Sequence, residues 1–218
     1  MLNASHPSAN GTTYRIDYQQ ALNPAQLEAV TYSRGPLLVI AGAGSGKTRT
    51  LTYRVARLVE DGIEPSAILL LTFTRKASQE MLRRAAKLLD RRCEMVSGGT
   101  FHSFANATLR KYAGALGLNS GFTILDRADA ESMIQLLRKE LDPSIRQRSF
   151  PRKGALANIF SKAVNKVLSI DEVVYDDYPH FLPNLESIEY LHKAYEKRKQ
   201  EHQFLDFDDL LVNLLLLL

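Results

Sequence analysis

Between residues 36 and 59 the chain passes from an apolar run, through a glycine-rich turn, into a segment with helical spacing. The apolar run is Pro36–Ile40, and the turn Ala41–Thr48 reads Ala-Gly-Ala-Gly-Ser-Gly-Lys-Thr. In Thr50–Val59 the apolar residues recur with the period of an amphipathic helix. Strand, glycine-rich turn and helix in this order constrain the fold most strongly, because a phosphate-binding loop forms in that context. The usual pattern begins with glycine, where this chain has Ala41.

A phosphate-binding loop needs the residue types that this turn contains. Gly42, Gly44 and Gly46 allow the backbone to approach a phosphate chain and to turn its N–H groups inward. The helix that begins here adds the positive end of its dipole. Lys47 has the reach to contact β- and γ-phosphates, and the Thr48 hydroxyl is a suitable ligand for Mg²⁺. The turn therefore predicts nucleotide binding, and it leaves the use of the nucleotide open.

The composition is that of a globular protein, and its charges are unevenly distributed. The 218 residues are 45% hydrophobic and 24% charged, with a formal net charge of +4. Residues 75–112 contain nine lysines and arginines against three acids, and residues 138–166 contain eight against two. Residues 171–209 reverse the balance, with eleven acids against four bases. The basic stretches suit a polyanion track, and an ordinary solvated surface is the alternative interpretation.

Cysteine, histidine and terminal patterns exclude several classes of protein. The single Cys93 excludes an internal disulfide and a cysteine metal cluster, and the five histidines show no ligand spacing. Residues 1–19 are predicted to form a disordered tail, and nothing in them resembles a signal peptide. The five leucines Leu214–Leu218 are too few to span a bilayer. We therefore expect a soluble, cytoplasmic protein that does not associate with a membrane and has no disulfide partner.

A capped helix is predicted just before the loop. Asn23 is a favourable N-cap and Pro24 suits the first turn of a helix. Gln26 lies in that first turn, and its amide offers both a donor and an acceptor, as an adenine edge requires. From the residues alone, the favoured interpretation of Gln26 is a surface glutamine on a capped helix.

Beyond the loop, strands and helices are predicted to alternate. Ala67–Phe73 has the continuous apolar pattern of a strand buried on both faces, and Thr74–Arg84 has helical spacing. Glu94–Thr100 predicts a third strand and turn, and a further helix is predicted from Phe101 to about Leu116. This alternation predicts an α/β fold with a parallel sheet, in which ligands bind at the carboxyl ends of the strands.

One such strand end carries side chains that suit nucleic acid. Phe73, Thr74, Arg75 and Lys76 combine an aromatic ring, a hydroxyl and two cations, which suits stacking a base and holding a phosphate. A core phenylalanine beside a capping threonine is the alternative interpretation. His102 lies among apolar neighbours and by itself favours a structural role.

From Gly117 onward the alternation of strands and helices stops. Phe122–Leu125 is strand-like, and the rest predicts a helical subdomain over 117–204. Three helical patterns follow one another, at 127–141, 152–168 and 184–203. A basic edge is predicted at Arg146, Arg148, Arg152 and Lys153.

The last segment, 205–218, predicts a helix that is apolar on all sides, as in a helix buried against a sheet. Asp206, Asp208 and Asp209 suggest either a metal site or acids at the start of that helix. The second interpretation is favoured, because the helix dipole stabilises carboxylates there.

Taken together, these motifs resemble those of superfamily-one DNA helicases of the UvrD/PcrA/Rep kind. The segments that carry the resemblance occur in the family's order: Leu22–Gln26, Ala41–Arg49, Thr72–Ala77, Gly99–Ser103 and Leu205–Leu211. The resemblance covers about residues 20–218, and it accounts for Ala41, since alanine is common there in the family. It departs at Arg75, where the family often has asparagine.

The resemblance implies ATP and Mg²⁺ as cofactors. Gln26 would read the adenine and Arg49 would lie against its ring. Lys47 and Thr48 would be the catalytic groups, and Thr48 would also be the metal ligand. The nucleotide-binding set would be Gln26, Gly42, Ala43, Gly44, Ser45, Gly46, Lys47, Thr48 and Arg49.

The resemblance also implies a fold and a DNA path. A first RecA-like domain, with helices on both faces of a parallel sheet, would occupy 20–116. The helical insertion would follow over 117–204, and the RecA-like domain would resume at 205–218. The residues lining single-stranded DNA would be Phe73, Thr74, Arg75, Lys76, Thr100, Phe101 and His102.

The implied activity is that of an ATP-dependent DNA helicase, which translocates 3′ to 5′ on single-stranded DNA and unwinds duplexes at junctions. The family's Asp-Glu motif, glutamine sensor, second RecA-like domain and arginines do not occur in these 218 residues. We therefore expect weak binding of ATP and single-stranded DNA without unwinding, and the rest of the same protein as a partner. An arginine finger alone is worth roughly a thousandfold or more in rate.

Three alternatives remain open at the level of sequence. One is a helicase–nuclease subunit of the RecB/AddA type, which shares these motifs. The others are a different P-loop class, such as a nucleotide kinase, and a non-catalytic nucleotide-binding module.

Overall fold

The computed structural model describes residues 6–7, 13–141 and 150–218. The predicted basic positions Arg146 and Arg148 lie outside these ranges. The chain divides into two compact units, Met1–Phe104 and Ala105–Leu218.

The first unit is built from short strands and four helices in its described part. The strands are β1 (His6–Pro7), β2 (Thr13–Tyr14), β3 (Leu69–Thr72) and β4 (Ser97–Thr100). The helices are α1 (Tyr18–Ala21), α2 (Pro24–Thr31), α3 (Lys47–Glu60) and α4 (Arg75–Leu88). Two 3₁₀ turns, Pro65–Ala67 and Arg91–Met95, precede β3 and β4. Helix α5 (Phe101–Tyr112) begins in this unit and continues into the second.

The predicted parallel pairing is confirmed for β3 and β4. The two strands run parallel, with Leu69 opposite Ser97 and Thr72 opposite Thr100, and α4 is the crossover between them. A Cβ at Gly98 would lie 2.6 Å from the Ser78 hydroxyl oxygen of α4. Glycine at this position therefore lets the helix pack closely on the strand. The strands β1 and β2 form a separate antiparallel pair.

A buried cluster joins α3, α4 and the two parallel strands. It contains Val55, Val59, Ile68, Leu70, Met81, Ala85, Cys93 and Val96. The Cys93 thiol is free and fully buried, and burial raises its pKa. It is therefore an unreactive core residue.

The predicted disordered tail ends earlier than residue 19. Tyr14 and Tyr18 are buried in a cluster with Tyr53, and the tyrosine rings pack edge to face. The Tyr14 hydroxyl donates to Asp61 at 2.8 Å, and the Tyr18 hydroxyl donates to Glu60 at 2.6 Å. Aromatic burial and these two bonds hold residues 14–18 against the end of α3, so this part of the prediction was wrong.

The prediction of a strand at Pro36–Ile40 was also wrong for this structure. The segment forms neither strand nor helix, and the side chains of Leu38 and Ile40 are 84% and 90% exposed. A strand requires a hydrogen-bonded neighbour, and none of the described strands pairs with this segment. Similarly, β3 is not buried on both faces, because Leu69 is 44% exposed.

The second unit is mainly helical, as predicted. Its further helices are α6 (Arg127–Glu140), α7 (Lys153–Lys166), α8 (Ile170–Asp177), α9 (Leu185–His202) and α10 (Phe207–Leu217). Two 3₁₀ turns lie at Ala113–Leu116 and Pro179–Asn184, and the parallel strands β5 (Thr123–Ile124) and β6 (Phe204–Leu205) form a small pair. The sequence patterns had not indicated α8. None of the described helices is long and apolar enough to cross a membrane.

The core of this unit is formed by α6, α7, α8 and α9. Its fully buried side chains include Leu156, Ile159, Val173, Val174 and Ile188. The acidic capping boxes at the starts of α6 and α10 begin those helices.

Helix α10 belongs to this unit and follows β6 directly. Leu210 and Leu214 are buried, whereas Leu215 and Leu216 are 76% and 69% exposed. The helix is therefore covered on one face only, and the prediction of burial on all sides was wrong.

Candidate functional site

The start of α2 is connected to the glycine-rich loop through Gln26. Asn23 and Gln26 form a capping box, in which the Gln26 N–H donates to the Asn23 side chain at 2.9 Å and the Gln26 side chain accepts from the Asn23 N–H. The amide nitrogen of Gln26 also donates to the carbonyl of Ser45 at 3.0 Å. The structure thus places Gln26 against the loop, and its role is more than that of a surface glutamine.

The loop itself depends on two glycines in the left-handed region. Gly44 has φ 75°, and Gly46 has φ 87°. A Cβ at Gly46 would lie 2.7 Å from the amide nitrogen of Gln26, so both backbone conformation and space require glycine there. The Ser45 hydroxyl donates to the Gly42 carbonyl at 2.8 Å and closes the turn.

Helix α3 begins at Lys47 with an uncapped N-terminus. Its N-cap is Gly46, which has no side chain to accept a hydrogen bond from the first turn. The N–H groups of that turn and the positive end of the helix dipole are therefore available to an anion. The loop residues from Gly42 to Ser45 are exposed, as are Lys47 and Thr48.

The charged side chains of the loop lie at the turn. The Lys47 ammonium donates to the carbonyls of Ala41 at 3.0 Å and Gly42 at 2.6 Å, so it lies inside the turn. The Arg49 guanidinium donates to the Ala21 carbonyl at 2.8 Å and lies 5.3 Å from the ring centroid of Tyr53. This part of the chain thus combines the Lys47 ammonium, the N–H groups at the start of α3 and the Arg49 guanidinium. These groups are suited to binding a polyphosphate.

Exposed aromatic residues mark the carboxyl ends of the two parallel strands. Because Thr72 and Thr100 are paired in register, the residues that follow them leave the sheet at the same edge. Phe73 is 94% exposed and Phe101 is 51% exposed. Such exposure in an aromatic residue is typical of a binding surface rather than a core position. The alternative of a core phenylalanine at Phe73 is excluded by its exposure.

Hydroxyl groups fix the backbone at this edge. Thr74 accepts from the Ala77 N–H at 3.1 Å and caps α4, and the Thr72 hydroxyl donates to the Thr74 carbonyl at 2.8 Å. Thr100 donates its N–H to the Ser103 hydroxyl oxygen at 2.9 Å, and the Ser103 N–H donates to the Thr100 hydroxyl oxygen at 3.1 Å. Sequence reasoning missed the positioning role of Ser103, although its spacing of three residues from Thr100 is the spacing of a helix cap.

The remaining predicted residues of this edge are cations and a histidine. Arg75 and Lys76 are exposed in the first turn of α4, whereas His102 is half-buried in the first turn of α5. The structure therefore brings Phe73 to Lys76 and Thr100 to His102 together at one edge of the parallel pair.

The carboxylates at the start of α10 are structural. Asp206 and Asp209 form a capping box, and the Lys199 ammonium donates to Asp206 at 2.9 Å and to Asp209 at 2.8 Å. Lys199 is only 3% exposed, and the Tyr195 hydroxyl also donates to Asp206, at 2.9 Å. Within the described residues no group of acids, histidines and cysteines has the arrangement of a metal site. The favoured interpretation as helix-start acids is confirmed.

Burial and the shared lysine set the ionisation of this cluster. Burial raises the pKa of Asp209 to about 6, and the neighbouring Asp206 carboxylate adds to the rise against the attraction of Lys199. Burial also tends to raise the pKa of Asp206, but Lys199 and the Asp209 backbone N–H hold it below its ordinary value. The pKa of Lys199 is raised by the carboxylates of Asp206, Asp209 and Glu196, despite burial.

Comparison with known proteins agrees with these local structures. The chain matches the model of the UvrD/REP helicase N-terminal domain over residues 22–218. It is 39% identical over 197 residues to the ATP-dependent DNA helicase PcrA of Bacillus subtilis (strain 168). This alignment covers 88% of this chain and 25% of the relative. It is 35% identical over 195 residues to PcrA of Staphylococcus aureus (strain Mu50) and 36% identical over 195 residues to PcrA of Staphylococcus epidermidis (strain RP62A); both alignments cover 88% of this chain and 26% of the relative.

The chain therefore spans about a quarter of the length of the curated relatives that it matches. Because the family model covers nearly all of the sequence from Leu22 onward, this chain belongs to the UvrD/REP helicase N-terminal domain family.

Proposed function

We propose that this chain is the N-terminal, ATP-binding part of an ATP-dependent DNA helicase that translocates 3′ to 5′ on single-stranded DNA. The observation that carries the proposal is the loop before α3. Two left-handed glycines, an uncapped helix N-terminus and Lys47 meet there, and Gln26 is hydrogen-bonded to the same turn. The relatives that this chain matches are named ATP-dependent DNA helicases.

In the proposed site each residue has a distinct task. The amides of Gly42 to Gly46 and of the first turn of α3 hold the phosphates. Lys47 would neutralise the β- and γ-phosphates, and Thr48 would provide a hydroxyl to Mg²⁺. Gln26 and Arg49 would hold the adenine.

The proposed fold is a first RecA-like domain over 20–116, continued at 205–218 and interrupted by the helical segment 117–204. The β3–β4 pair with its α4 crossover supports a parallel sheet.

Single-stranded DNA is assigned to the carboxyl edge of β3 and β4. The exposed rings of Phe73 and Phe101 provide stacking platforms, and Arg75 and Lys76 contact the backbone phosphates. Thr74, Thr100 and His102 complete the path. The capping bonds of Thr74 and Thr100 keep the two rings in place at the helix starts.

Nucleotide hydrolysis by these 218 residues should be negligible. The sequence contains neither the family's Asp-Glu motif nor the arginines of a second RecA-like domain. Positioning of the phosphates without a base and without an arginine finger gives little rate enhancement. We therefore expect these residues to bind nucleotide and single-stranded DNA without unwinding a duplex. Unwinding is expected of the full-length protein.

The test is equilibrium binding of a fluorescent ATP analogue in the presence of Mg²⁺, followed by ATP turnover with and without a single-stranded oligonucleotide. We expect binding that unlabelled ATP displaces, and no turnover above that of Lys47→Ala. Lys47→Ala should lose about ten- to a hundredfold in affinity, since one charge-assisted bond is worth about 1.5–3 kcal/mol. Unchanged affinity in Lys47→Ala would refute the site, and DNA-stimulated turnover would refute the proposed inactivity.

A further inference from the structure

An open groove lies on the helical unit, and none of its lining residues belongs to the sites described above. It is formed by α8 and by the segment that runs through the 3₁₀ turn Pro179–Asn184 into α9, and it encloses about 460 Å³. The groove is lined by Leu168, Asp171, Glu172, Tyr175, Asp176, Leu182 and Leu185. Its volume is that of a binding site, and its shape suits a side chain that enters from outside.

The apolar part of the groove contains an exposed aromatic residue. Val173 and Val174 of α8 are fully buried in the core, whereas Tyr175 faces the opposite way and is 70% exposed. Leu182 is 38% exposed, and Leu168 and Leu185 are half-buried against the core. Tyrosine is enriched at the buried centre of protein interfaces.

The polar part of the groove is entirely acidic. Asp171, Glu172 and Asp176 are exposed, and none of the described lysines or arginines lies within ion-pair distance of them. Hydrogen bonds from Ser169 hold the pKa of Asp171 and of Glu172 below their ordinary values, so both stay ionised at neutral pH.

Asp176 lies in the last turn of α8, where the helix dipole disfavours a carboxylate. Its neighbour Asp177 is neutralised by an ion pair with Lys162, and Asp176 has no such partner among the described residues. A carboxylate at an unfavourable helix end, beside an exposed tyrosine, raises the negative potential of the groove. Such a departure from local preference is expected at functional positions.

We propose that this groove binds a basic amphipathic peptide segment of a partner protein. Leucine-like side chains of the peptide pack on Tyr175 and Leu182, and its arginines or lysines pair with Asp171, Glu172 and Asp176. The choice of partner follows from charge complementarity, because the groove repels a nucleic acid and attracts a cation. The leucines and Tyr175 suit the apolar face of such a peptide, and the three carboxylates suit its cations.

The test uses the 218-residue chain and two synthetic peptides. One peptide carries arginine and leucine with helical spacing, and the other has glutamate in place of every arginine. Isothermal titration should detect binding of the first peptide, with at least about a tenfold weaker affinity for the second. Raising NaCl from about 50 mM to about 500 mM should weaken binding of the first peptide, because exposed charges are screened. Equal affinity for the two peptides would overturn the proposal.

Variants locate the bound peptide. Tyr175→Ala, and separately the double variant Asp171→Asn with Asp176→Asn, should each reduce affinity about tenfold or more. The matched controls are Tyr190→Ala and Glu186→Gln, whose side chains do not line the groove although Tyr190 is 63% exposed. Equal losses in controls and groove variants, or no loss in the groove variants, would show that the peptide binds elsewhere.

Two further measurements distinguish other occupants. Tyr175→Ala should leave affinity for a single-stranded oligonucleotide unchanged, and a loss would assign the groove to nucleic acid instead. Sedimentation of the chain without peptide should show no self-association that Tyr175→Ala abolishes. If the chain self-associates and Tyr175→Ala abolishes this association, the occupant is a second copy of this chain and the proposed partner is wrong.

Discussion

The two units of the chain use charged residues in opposite ways. In the first unit the cations of interest, Lys47, Arg75 and Lys76, are exposed at a loop and at a strand edge. In the second unit Lys199 is 3% exposed and is surrounded by carboxylates in the protein interior. An exposed cation is available to a ligand, whereas a buried cation is available only to its neighbours.

The same contrast holds for aromatic residues. Phe73 and Phe101 stand exposed at the carboxyl edge of β3 and β4, whereas Phe160 and Tyr195 lie in the core of the helical unit with ring centroids 5.9 Å apart. Substitutions at exposed positions of the first unit should therefore change binding and leave stability almost unchanged. Substitutions in the buried cluster of the second unit should do the reverse.

The largest effect is expected from Lys199→Met, which removes the shared partner of Asp206 and Asp209. The free energy of unfolding should fall by about 3–5 kcal/mol, because a buried ion pair is broken and its carboxylates stay behind. Denaturant unfolding measures this, and nucleotide affinity should be unchanged. Lys197→Met is the control, since the Lys197 side chain is 76% exposed and its pair with Glu201 is worth under about 1 kcal/mol. Equal stability of the two variants would contradict the buried role of Lys199.

A smaller effect, on binding alone, is expected from Phe73→Ala. Affinity for a single-stranded oligonucleotide should weaken by about 1–3 kcal/mol, the worth of one stacked base, while the melting temperature stays the same. Fluorescence anisotropy with a labelled oligonucleotide measures the change. Met95→Ala provides the control, because Met95 is 63% exposed just before β4, at the other end of that strand. Equal losses in both variants would show that DNA does not use the carboxyl edge.

Alanine substitutions at two glycines of the loop should have different effects on stability and nucleotide affinity. Gly46→Ala should cost about 1–2 kcal/mol, because alanine is strained at φ 87° and its Cβ collides with Gln26, and nucleotide affinity should fall with it. Gly42→Ala should leave stability nearly unchanged, since a Cβ there meets nothing within 4 Å. Thermal unfolding and nucleotide titration of both variants check this. A Gly46→Ala protein as stable as wild type would refute the tight loop geometry.

The stability of the buried cluster around Lys199 should also depend on pH. The pKa of Asp209 in the folded chain is about 6, above the ordinary value, so the folded state binds more protons than the unfolded state between pH 4 and 6. The contribution of Asp209 to stability is therefore present below pH 4 and is lost as the pH rises through 6. The free energy of unfolding should therefore fall as the pH rises across that range, as measured by urea unfolding. Asp209→Asn should lack this dependence; an unchanged slope would assign the titration to another group.

Much of the fold was predictable because its signals are local. Asn23, Thr74 and Gly62 mark helix boundaries by their own chemistry, and helical periodicity places α6, α7 and α9 within a few residues. Helix α8 was missed because it is only eight residues long and is followed closely by Pro179. Lys199 had a signal that was overlooked, since it continues the buried positions Leu191 and Tyr195 of α9 at helical spacing.

The predictions that were wrong depended on distant neighbours. A run such as Pro36–Ile40 is apolar enough for a buried strand, but hydrogen bonds from an adjacent strand are needed to form it. The leucines of α10 likewise required a second covering surface. Tyr14 and Tyr18 packed instead of remaining disordered, because Tyr53, Glu60 and Asp61 offered partners more than thirty residues away.

By itself, the sequence determined the glycine-rich turn before α3, the caps that start the helices, and the family to which the chain belongs. These depend on side-chain types at short, fixed spacings, and the backbone of a few residues suffices to express them. Only the tertiary structure decided that Gln26 contacts the loop, that Phe73 and Phe101 share one edge, and that Lys199 neutralises Asp206 and Asp209. Each of these needs two segments to come together in space, and the energy of burial that brings them together is a property of the whole packed unit.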